Sequence, residues 1–281
     1  LIEAPHMTQA VDSPPAEAAF ASLLNWMRSF SRVIVAYSGG VDSALVLAAA
    51  RRALGEGALA CIGVSPSYPQ RELDAAVDLA KKLAARIRLV RTAEHLDPRY
   101  AANPARRCYF CKSELYAQLG AVRVEENADA ILDGTQASDL LEIRHGYIAA
   151  TEAGVRSPLA ELKFDKAAVR DMARLLGLSV WDKPAAPCLA SRVPTGVAID
   201  AALLARIEQA ENALARLGFT DFRVRHHGEV ARIELPPDRL AEAIERRQAI
   251  IDGVRAAGYR HVSLDLAGLR GRSLPLLPPG A

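Results

Sequence analysis

Cysteine is scarce in this chain: four residues among 281, at positions 61, 108, 111 and 188. So few thiols exclude a scaffold stapled by disulfides and point to a reducing cytoplasm. The opening stretch LIEAPHMTQAV has no basic segment followed by an apolar one, so it does not read as a signal peptide. Residues Leu1–His6 read as a cloning remnant ahead of Met7. No run approaches the roughly 20 apolar residues that span a bilayer, so no membrane partner is expected. A dominant charge is missing too: 35 Lys and Arg face 33 Asp and Glu, a formal net charge of +2. That balance excludes a polybasic surface for stable nucleic-acid binding but not a local anion site. Internal repeats and low-complexity blocks are absent. What is there is 51% apolar and 24% charged, enough for one large α/β domain and a smaller one.

Short dry runs alternate with helical patterns over the first two thirds. A helix is expected over 13–30, then strands at 32–38, 58–66, 86–92 and 128–135, each after or before a helical segment (42–54, 71–85, and one ending near 122). Continuous apolar strands suit a sheet covered on both faces, so the fold class is α/β, a doubly wound parallel sheet. Ligands in such folds sit at the carboxyl ends of the strands. A Gly-rich polar loop is expected over 136–163, then a helix over 166–176 stopped by Gly177. The turn-rich link KPAAPCLASRVPTG (183–196) marks a boundary, giving domains 13–195 and 196–270. Beyond it a smaller α+β module is expected: helix 200–217, strands 221–227 and 230–235 joined at Gly228-Glu229, helix 238–257 and strand 261–266. The tail SLPLLPPGA reads as frayed.

The first strand runs into Ser38-Gly39-Gly40 and then a helix that opens with Asp42 and Ser43. A strand, a glycine turn and a helix start converge backbone N–H groups on one point, where the helix dipole adds about half a positive charge. Glycine lets the backbone approach a bulky anion, and serine hydroxyls add donors. The loop is thus suited to phosphate. It lacks the lysine of GxxxxGK[ST] and the spacing of GxGxxG. A plainer alternative is a tight turn with Asp42 as helix N-cap. The full SGGVDS resembles the signature of the PP-loop (N-type) ATP pyrophosphatases. The resemblance implies that Ser38, Gly39, Gly40, Asp42 and Ser43 cradle the pyrophosphate of ATP, with Mg²⁺, while an acid is adenylated. It also implies that Val64 and Ser65, ending the second strand, flank the adenine.

Cys108 and Cys111 form a CxxC beside Arg106, Arg107 and Lys112, in a polar loop entering a helix. Positive neighbours and a helix start favour thiolate. The same pair also suits half a zinc site or simple packing, and Cys188 near Lys183 and Arg192 also suits an ordinary turn thiol. Cys61 lies within a strand and reads as core. With no Cys directly after Met7 and no glutaminase segment, an in-chain ammonia source is not expected, and the thiols point to sulfur.

The ordered set SGGVDS, SPSYPQREL, NPARRCYFCK, LDGTQASD, VRSPLAELKFDKAAVRDMARLLGLSVWDKPAAPCLASRVPTG and RVRHHGEVARIEL resembles the LarE family over about residues 32–266. The resemblance implies an ATP-dependent sulfurtransferase that adenylates the carboxylates of pyridinium-3,5-biscarboxylic acid mononucleotide and converts them to thiocarboxylates. It implies one of two sulfur sources: Cys188 giving up its own sulfur, or a [4Fe–4S] cluster on Cys108, Cys111 and Cys188 that delivers sulfide. Three thiols suit a cluster with one open iron. Asp133 ends the fourth strand at the face where the first loop opens, Gly134 permits a tight turn, and Asp139 suits Mg²⁺ or the nucleotide; the resemblance puts Gln136 where the family usually has Asn. Ser191 and Arg192 follow Cys188 closely, and a guanidinium there suits bidentate binding of a substrate carboxylate; the resemblance sets Arg223 and Arg225 on the substrate phosphate. Glu234, with Glu208 or Glu211, falls on acidic positions for a divalent ion near a subunit junction, and rings of subunits are implied. Arg223 and Arg225 share one strand face and equally suit a solvated surface. Rival expectations are a tRNA-thiolating enzyme, disfavoured by the charge balance, an ammonia-using synthetase, and a nucleotide-binding or zinc-stabilised scaffold.

Overall fold

A computed structural model describes residues 15–141, 145–184 and 186–269. Its elements begin with α1 (Ala16–Met27), β1 (Val33–Ala36), α2 (Val41–Leu54), β2 (Ala58–Val64), α3 (Gln70–Lys82), β3 (Arg86–Arg91), α4 (Pro98–Ala101) and α5 (Arg107–Glu125). They continue with β4 (Ala130–Leu132), α6 (His145–Glu152), α7 (Pro158–Glu161), α8 (Lys166–Leu175) and α9 (Ala201–Arg216). The last are β5 (Arg223–His227), β6 (Val230–Glu234), α10 (Leu240–Glu245), α11 (Arg247–Ala256) and β7 (His261–Leu264). The expected helix start at Ser13 and the tail from Ser273 lie outside the described residues.

The chain divides into two compact units. One takes the chain up to Gly63 with Glu72–Val90 and Leu115–Ala185; the other takes Val64–Arg71, Arg91–Glu114 and the chain from Ala186 onward. These units describe packing, and the functional division at 195/196 is a separate question.

In the first unit a parallel sheet runs β3-β2-β1-β4. Val33 pairs with Ala58 on one side and with Ala130 on the other. β1 is dry because both of its faces are covered: Val33, Ile34 and Val35 are all buried. In α2 every residue from Ser43 to Ala50 is buried, which explains why its sequence lacks a polar stripe. Each fully buried Leu or Val there contributes about 1.5–3 kcal/mol. The order 3-2-1-4 reverses direction at β1. Chains leaving the carboxyl ends of β1 and β4 therefore flank a crevice at the switch point, where such sheets bind ligands.

The second unit has its own sheet, β5-β6-β7, with β5 antiparallel and β7 parallel to β6. Its core joins α9, α11 and the strands to Tyr100, Phe110 and Leu189, with Cys111 and Cys188 packed against it. The α9 helix is capped by Asp200, whose side chain accepts from Leu203 N–H at 2.7 Å.

Two expectations need correction. The loop expected over 136–163 contains α6 and α7; burial of Ala149, Ala150 and Leu159 sustains these short helices where their polar, Gly-containing sequence does not. The single helix expected over 238–257 is two, α10 and α11, parted at Arg246, whose φ and ψ of −94° and 13° leave the helical region. Among the described residues no helix is long and apolar enough to cross a membrane.

Candidate functional site

The phosphate loop lies in the first unit, at the carboxyl end of β1. Gly40 caps α2 without any side-chain hydrogen bond to the first turn, so the helix amides stay open to a ligand. Asp42 is therefore not the N-cap that the plainer alternative offered. The turn is braced from within: Ser43 Oγ accepts from Ser38 N at 3.1 Å, donates to Gly40 O at 3.2 Å and lies 3.1 Å from Ser38 Oγ. Gly39 has φ of 69°, and a Cβ there would lie 2.6 Å from the Cβ of Ala76 on α3. Only glycine meets both demands.

Gly134 closes the other side of the crevice. A Cβ on it would stand 2.6 Å from Ser43 N, so the end of β4 abuts the first turn of α2 through a bare glycine. Asp133 beside it is buried and fully engaged. Its Oδ1 accepts from Ser157 Oγ at 2.7 Å and Thr135 N at 3.1 Å; its Oδ2 accepts from Thr135 Oγ1 at 2.7 Å and Tyr116 Oη at 3.3 Å. Asp133 thus ties together β4, α5 and the start of α7. Gln136, also buried, donates to Asp139 Oδ1 at 3.2 Å and accepts from Ser138 N at 3.2 Å, a local turn role.

A residue that sequence reasoning missed completes this picture. Lys166 Nζ donates to both oxygens of Asp42, at 2.8 and 2.7 Å, placing a positive charge at the opening of the phosphate loop. Lys183, expected near Cys188, instead donates to Glu72 Oε2 at 2.7 Å. Val64 and Ser65 belong to the second unit. Val64 O accepts from Thr92 N at 3.0 Å, and Ser65 Oγ is spent on Glu94.

All three candidate sulfur-site cysteines lie in the second unit. Cys108 and Cys111 sit in the first turns of α5, and the loop before them is laced to the Cys188 segment. Arg107 Nη1 donates to Ala190 O at 3.1 Å and also to Asn103 Oδ1. Asn103 Nδ2 donates to Pro194 O at 2.8 Å, and Leu189 N–H to Ser67 O at 2.8 Å. The thiols are neighbours, since Cys188 and Cys108 both bear on the ionisation of Cys111. The expectation of a thiolate at Cys111 is corrected: burial first, then the carboxylate of Glu94, pushes this thiol up to about 12. Cys61, packed in β2, is likewise pushed to about 12 by burial, as a core thiol should be. Among the described residues no group of three His, Cys, Asp or Glu side chains stands close enough to hold a single metal ion. A cluster spreads its thiolates over different irons, so it tolerates wider spacing than one ion does.

The Cys188 turn is clamped by Arg192 and Ser191. Ser191 Oγ donates to Cys188 O at 2.7 Å; Arg192 Nη1 donates to Pro187 O at 2.6 Å and Cys188 O at 3.2 Å. The other edge of the Arg192 guanidinium grips Glu211, with Nε at 2.8 Å and Nη2 at 3.3 Å. The fork that would suit a substrate carboxylate is thus filled by Glu211, which also accepts from Arg71 Nη2 at 2.8 Å and Val224 N at 3.2 Å. Glu234 Oε1 accepts from Arg225 Nε and Arg232 Nη2, both at 3.0 Å. Glu208 accepts from Gln70 N at 2.6 Å. These acids neutralise arginines and cap a helix rather than converge on an ion.

Arg223 differs from its neighbours. It is 9% exposed, and its guanidinium donates no hydrogen bond to any other described residue. Burial, then the charges of Arg225 and Arg192, push it below the usual arginine range. Three guanidinium groups converge here and one of them lacks an acceptor, an arrangement that favours an anion.

A family model described as NAD synthase matches residues 22–105, the span that holds the phosphate loop and the approach to the CxxC. The chain is 41% identical over 260 residues to an uncharacterized protein of Synechocystis, covering 92% of this chain and 97% of that one. It is 36% identical over 252 residues to the pyridinium-3,5-bisthiocarboxylic acid mononucleotide synthase of Lactiplantibacillus plantarum, covering 89% of this chain and 91% of that one. Over 77 residues it is 46% identical to the glutamine-dependent NAD(+) synthetase of Rhodobacter capsulatus, 27% of this chain and 13% of that one.

Proposed function

The chain belongs to the LarE family, that of the pyridinium-3,5-bisthiocarboxylic acid mononucleotide synthases, and from this premise we propose that it adenylates carboxylates of the pyridinium-3,5-biscarboxylic acid mononucleotide and replaces oxygen by sulfur. The supporting observation is the pairing of an uncapped, glycine-lined helix start in one unit with three neighbouring thiols and an arginine cluster in the other. An adenylating enzyme needs the first; a sulfur-inserting one needs the second.

In the first half-reaction the open amides of α2 and the hydroxyls of Ser38 and Ser43 hold the pyrophosphate of ATP as leaving group. Lys166, paired with Asp42 at the loop, would offer its charge to that leaving group, and Asp42 would be the carboxylate to hold the Mg²⁺ that travels with ATP. Asp133 keeps Gly134 against the loop, and Val64 and Ser65 flank the adenine. On the substrate side Arg223 takes the 5′-phosphate, with Arg225 and Arg192 adding charge. Arg225 also donates to Ser191 O at 2.8 Å, so a phosphate on this cluster is felt at the turn that bears Cys188.

For the sulfur, Cys108, Cys111 and Cys188 are the residues that would hold a [4Fe–4S] cluster; in support, all three lie on one unit, in segments tied to each other through Arg107, Asn103 and Ser67. Such a cluster, when bound, supplies an open iron for an exchangeable sulfide. The second route is the sacrifice of Cys188 itself, and the two differ in stoichiometry. The functional division we adopt takes 13–195 as the ATP pyrophosphatase region and 196–270 as the substrate-binding and oligomerisation domain, in a cytoplasmic protein whose subunits associate. A tRNA substrate is not favoured by a net charge of +2.

The test is anaerobic reconstitution followed by turnover with ATP, sulfide and the mononucleotide. The cluster route requires about four irons per chain, several turnovers, and loss of both in Cys108→Ala. Loss of one sulfur from Cys188 per turnover, with Cys108→Ala fully active, would replace it by the sacrificial route.

A further inference from the structure

The second unit buries an acid that no step above uses. Glu94 is 2% exposed, and its Oε1 accepts from Ser65 Oγ at 2.5 Å and Ser67 Oγ at 2.9 Å. Its Oε2 is buried with no hydrogen-bond partner. Tyr100, 1% exposed, has a buried hydroxyl in the same condition; Ser67 approaches it short of a well-formed hydrogen bond. Both residues stand among the thiols. Glu94 is the carboxylate that bears most on the ionisation of Cys111, and Cys188 and Cys111 are the titratable groups that bear most on that of Tyr100. Ser67 links the parts, its hydroxyl reaching Glu94 and its carbonyl accepting the N–H of Leu189, next to Cys188.

Buried polar atoms left unpaired are costly, and a fold that keeps two of them in one neighbourhood is built for an occupant. Glu94 Oε2 only accepts; the Tyr100 hydroxyl donates. The complement is a small species that donates one hydrogen and accepts another. Water meets that description, but so does neutral hydrogen sulfide, whose weaker hydration suits the apolar core to which Tyr100 belongs. Hydrogen sulfide also carries the atom that the adjacent thiol site needs. We propose that Glu94 and Tyr100 form a subsite for hydrogen sulfide in its neutral form, Glu94 Oε2 accepting an S–H hydrogen and the Tyr100 hydroxyl donating to sulfur. This rests on the reading of the protein as a sulfur-inserting enzyme, and it names the form in which sulfur reaches the cysteines.

The test measures retention of ³⁵S-labelled sulfide by the anaerobic full-length protein, iron content alongside, and the dependence of thiocarboxylate formation on sulfide concentration. Glu94→Gln preserves the acceptor for Ser65 and Ser67, and Tyr100→Phe removes one oxygen; melting temperatures of both check folding. Expected is a fall in retention of about tenfold or more, a KM for sulfide raised by a similar factor, and a kcat that recovers at high sulfide. Equal retention in wild type and variants, no retention by wild type (the signature of a water site), or a fall in kcat with KM unmoved overturns the subsite. Retention that depends on Glu94 in a wild-type protein forming no thiocarboxylate leaves the subsite standing and removes the proposed function.

Discussion

Lys166 Nζ bridges both carboxylate oxygens of Asp42, at 2.8 and 2.7 Å, across 124 residues of sequence. The pair joins the first turn of α8 to the first turn of α2, at the mouth of the phosphate loop. Both side chains are about a third exposed, at 39% and 28%, so the pair contributes only about 0–1 kcal/mol to stability. Lys166→Met should therefore leave the melting temperature nearly unchanged while lowering pyrophosphate release roughly tenfold to a hundredfold. A large loss of stability with normal release per folded molecule would show that the lysine serves the fold alone.

Gly134→Ala should act through backbone contact. The added methyl would stand 2.6 Å from Ser43 N and 3.0 Å from Ser43 Cα, neither of which is a flexible end. Overpacking of this kind costs about 1–3 kcal/mol and here displaces the α2 amides. Titration calorimetry should show ATP binding weakened more than substrate binding. Unchanged ATP affinity would mean that the loop does not hold the nucleotide.

These two positions show what was legible in sequence. The dry run into Ser38-Gly39-Gly40 is a local signal, because burial on two faces and a positive φ leave their mark in adjacent residues. Lys166 leaves no such mark: it is one more charge on an amphipathic helix until folding brings it to Asp42. Glu94 was missed for the same reason, an acid in a turn whose burial depends on Ser65 and Ser67 arriving from elsewhere. Arg192 was noticed, but the role assigned to it assumed an open guanidinium. Its partner Glu211 lies on a helix nineteen residues further on. The short helices α6 and α7 were hidden because tertiary burial, not propensity, holds them.

Arg192→Met should be severe. It strips Glu211 of its bidentate partner, leaves Arg71 as the remaining cation on a carboxylate 1% exposed, and takes the guanidinium donor from the Pro187 carbonyl. Breaking a buried pair costs about 3–5 kcal/mol. Denaturant unfolding should register most of that loss, whereas a change under 1 kcal/mol would mean the clamp is dispensable.

Arg223→Met should do the opposite to stability. Arg223 is 9% exposed, feels the charges of Arg225 and Arg192 and donates no hydrogen bond to another described residue, so its removal relieves repulsion. The variant should melt at or above the wild-type temperature and yet bind the mononucleotide at least tenfold more weakly. With a substrate lacking the 5′-phosphate, wild type and variant should become alike. An equal loss with both substrates would remove the phosphate assignment.

Acid should destabilise the second unit through His226. Burial first, then the charge of Arg206 and His227, holds its imidazole below the usual 6.5. The unfolded chain then binds more protons than the folded one, so stability falls as pH drops below about 6.5 and levels off below the folded value. His226→Gln should flatten that part of the stability–pH curve, and an unaltered slope would assign the acid sensitivity elsewhere.

The most direct test is the product balance of the anaerobic protein given ATP, sulfide and the pyridinium biscarboxylate mononucleotide. Mass spectrometry should find AMP and pyrophosphate rising together with a nucleotide that has exchanged a carboxylate oxygen for sulfur. Formation of ADP, or AMP released while the nucleotide keeps all its oxygens, would contradict the account.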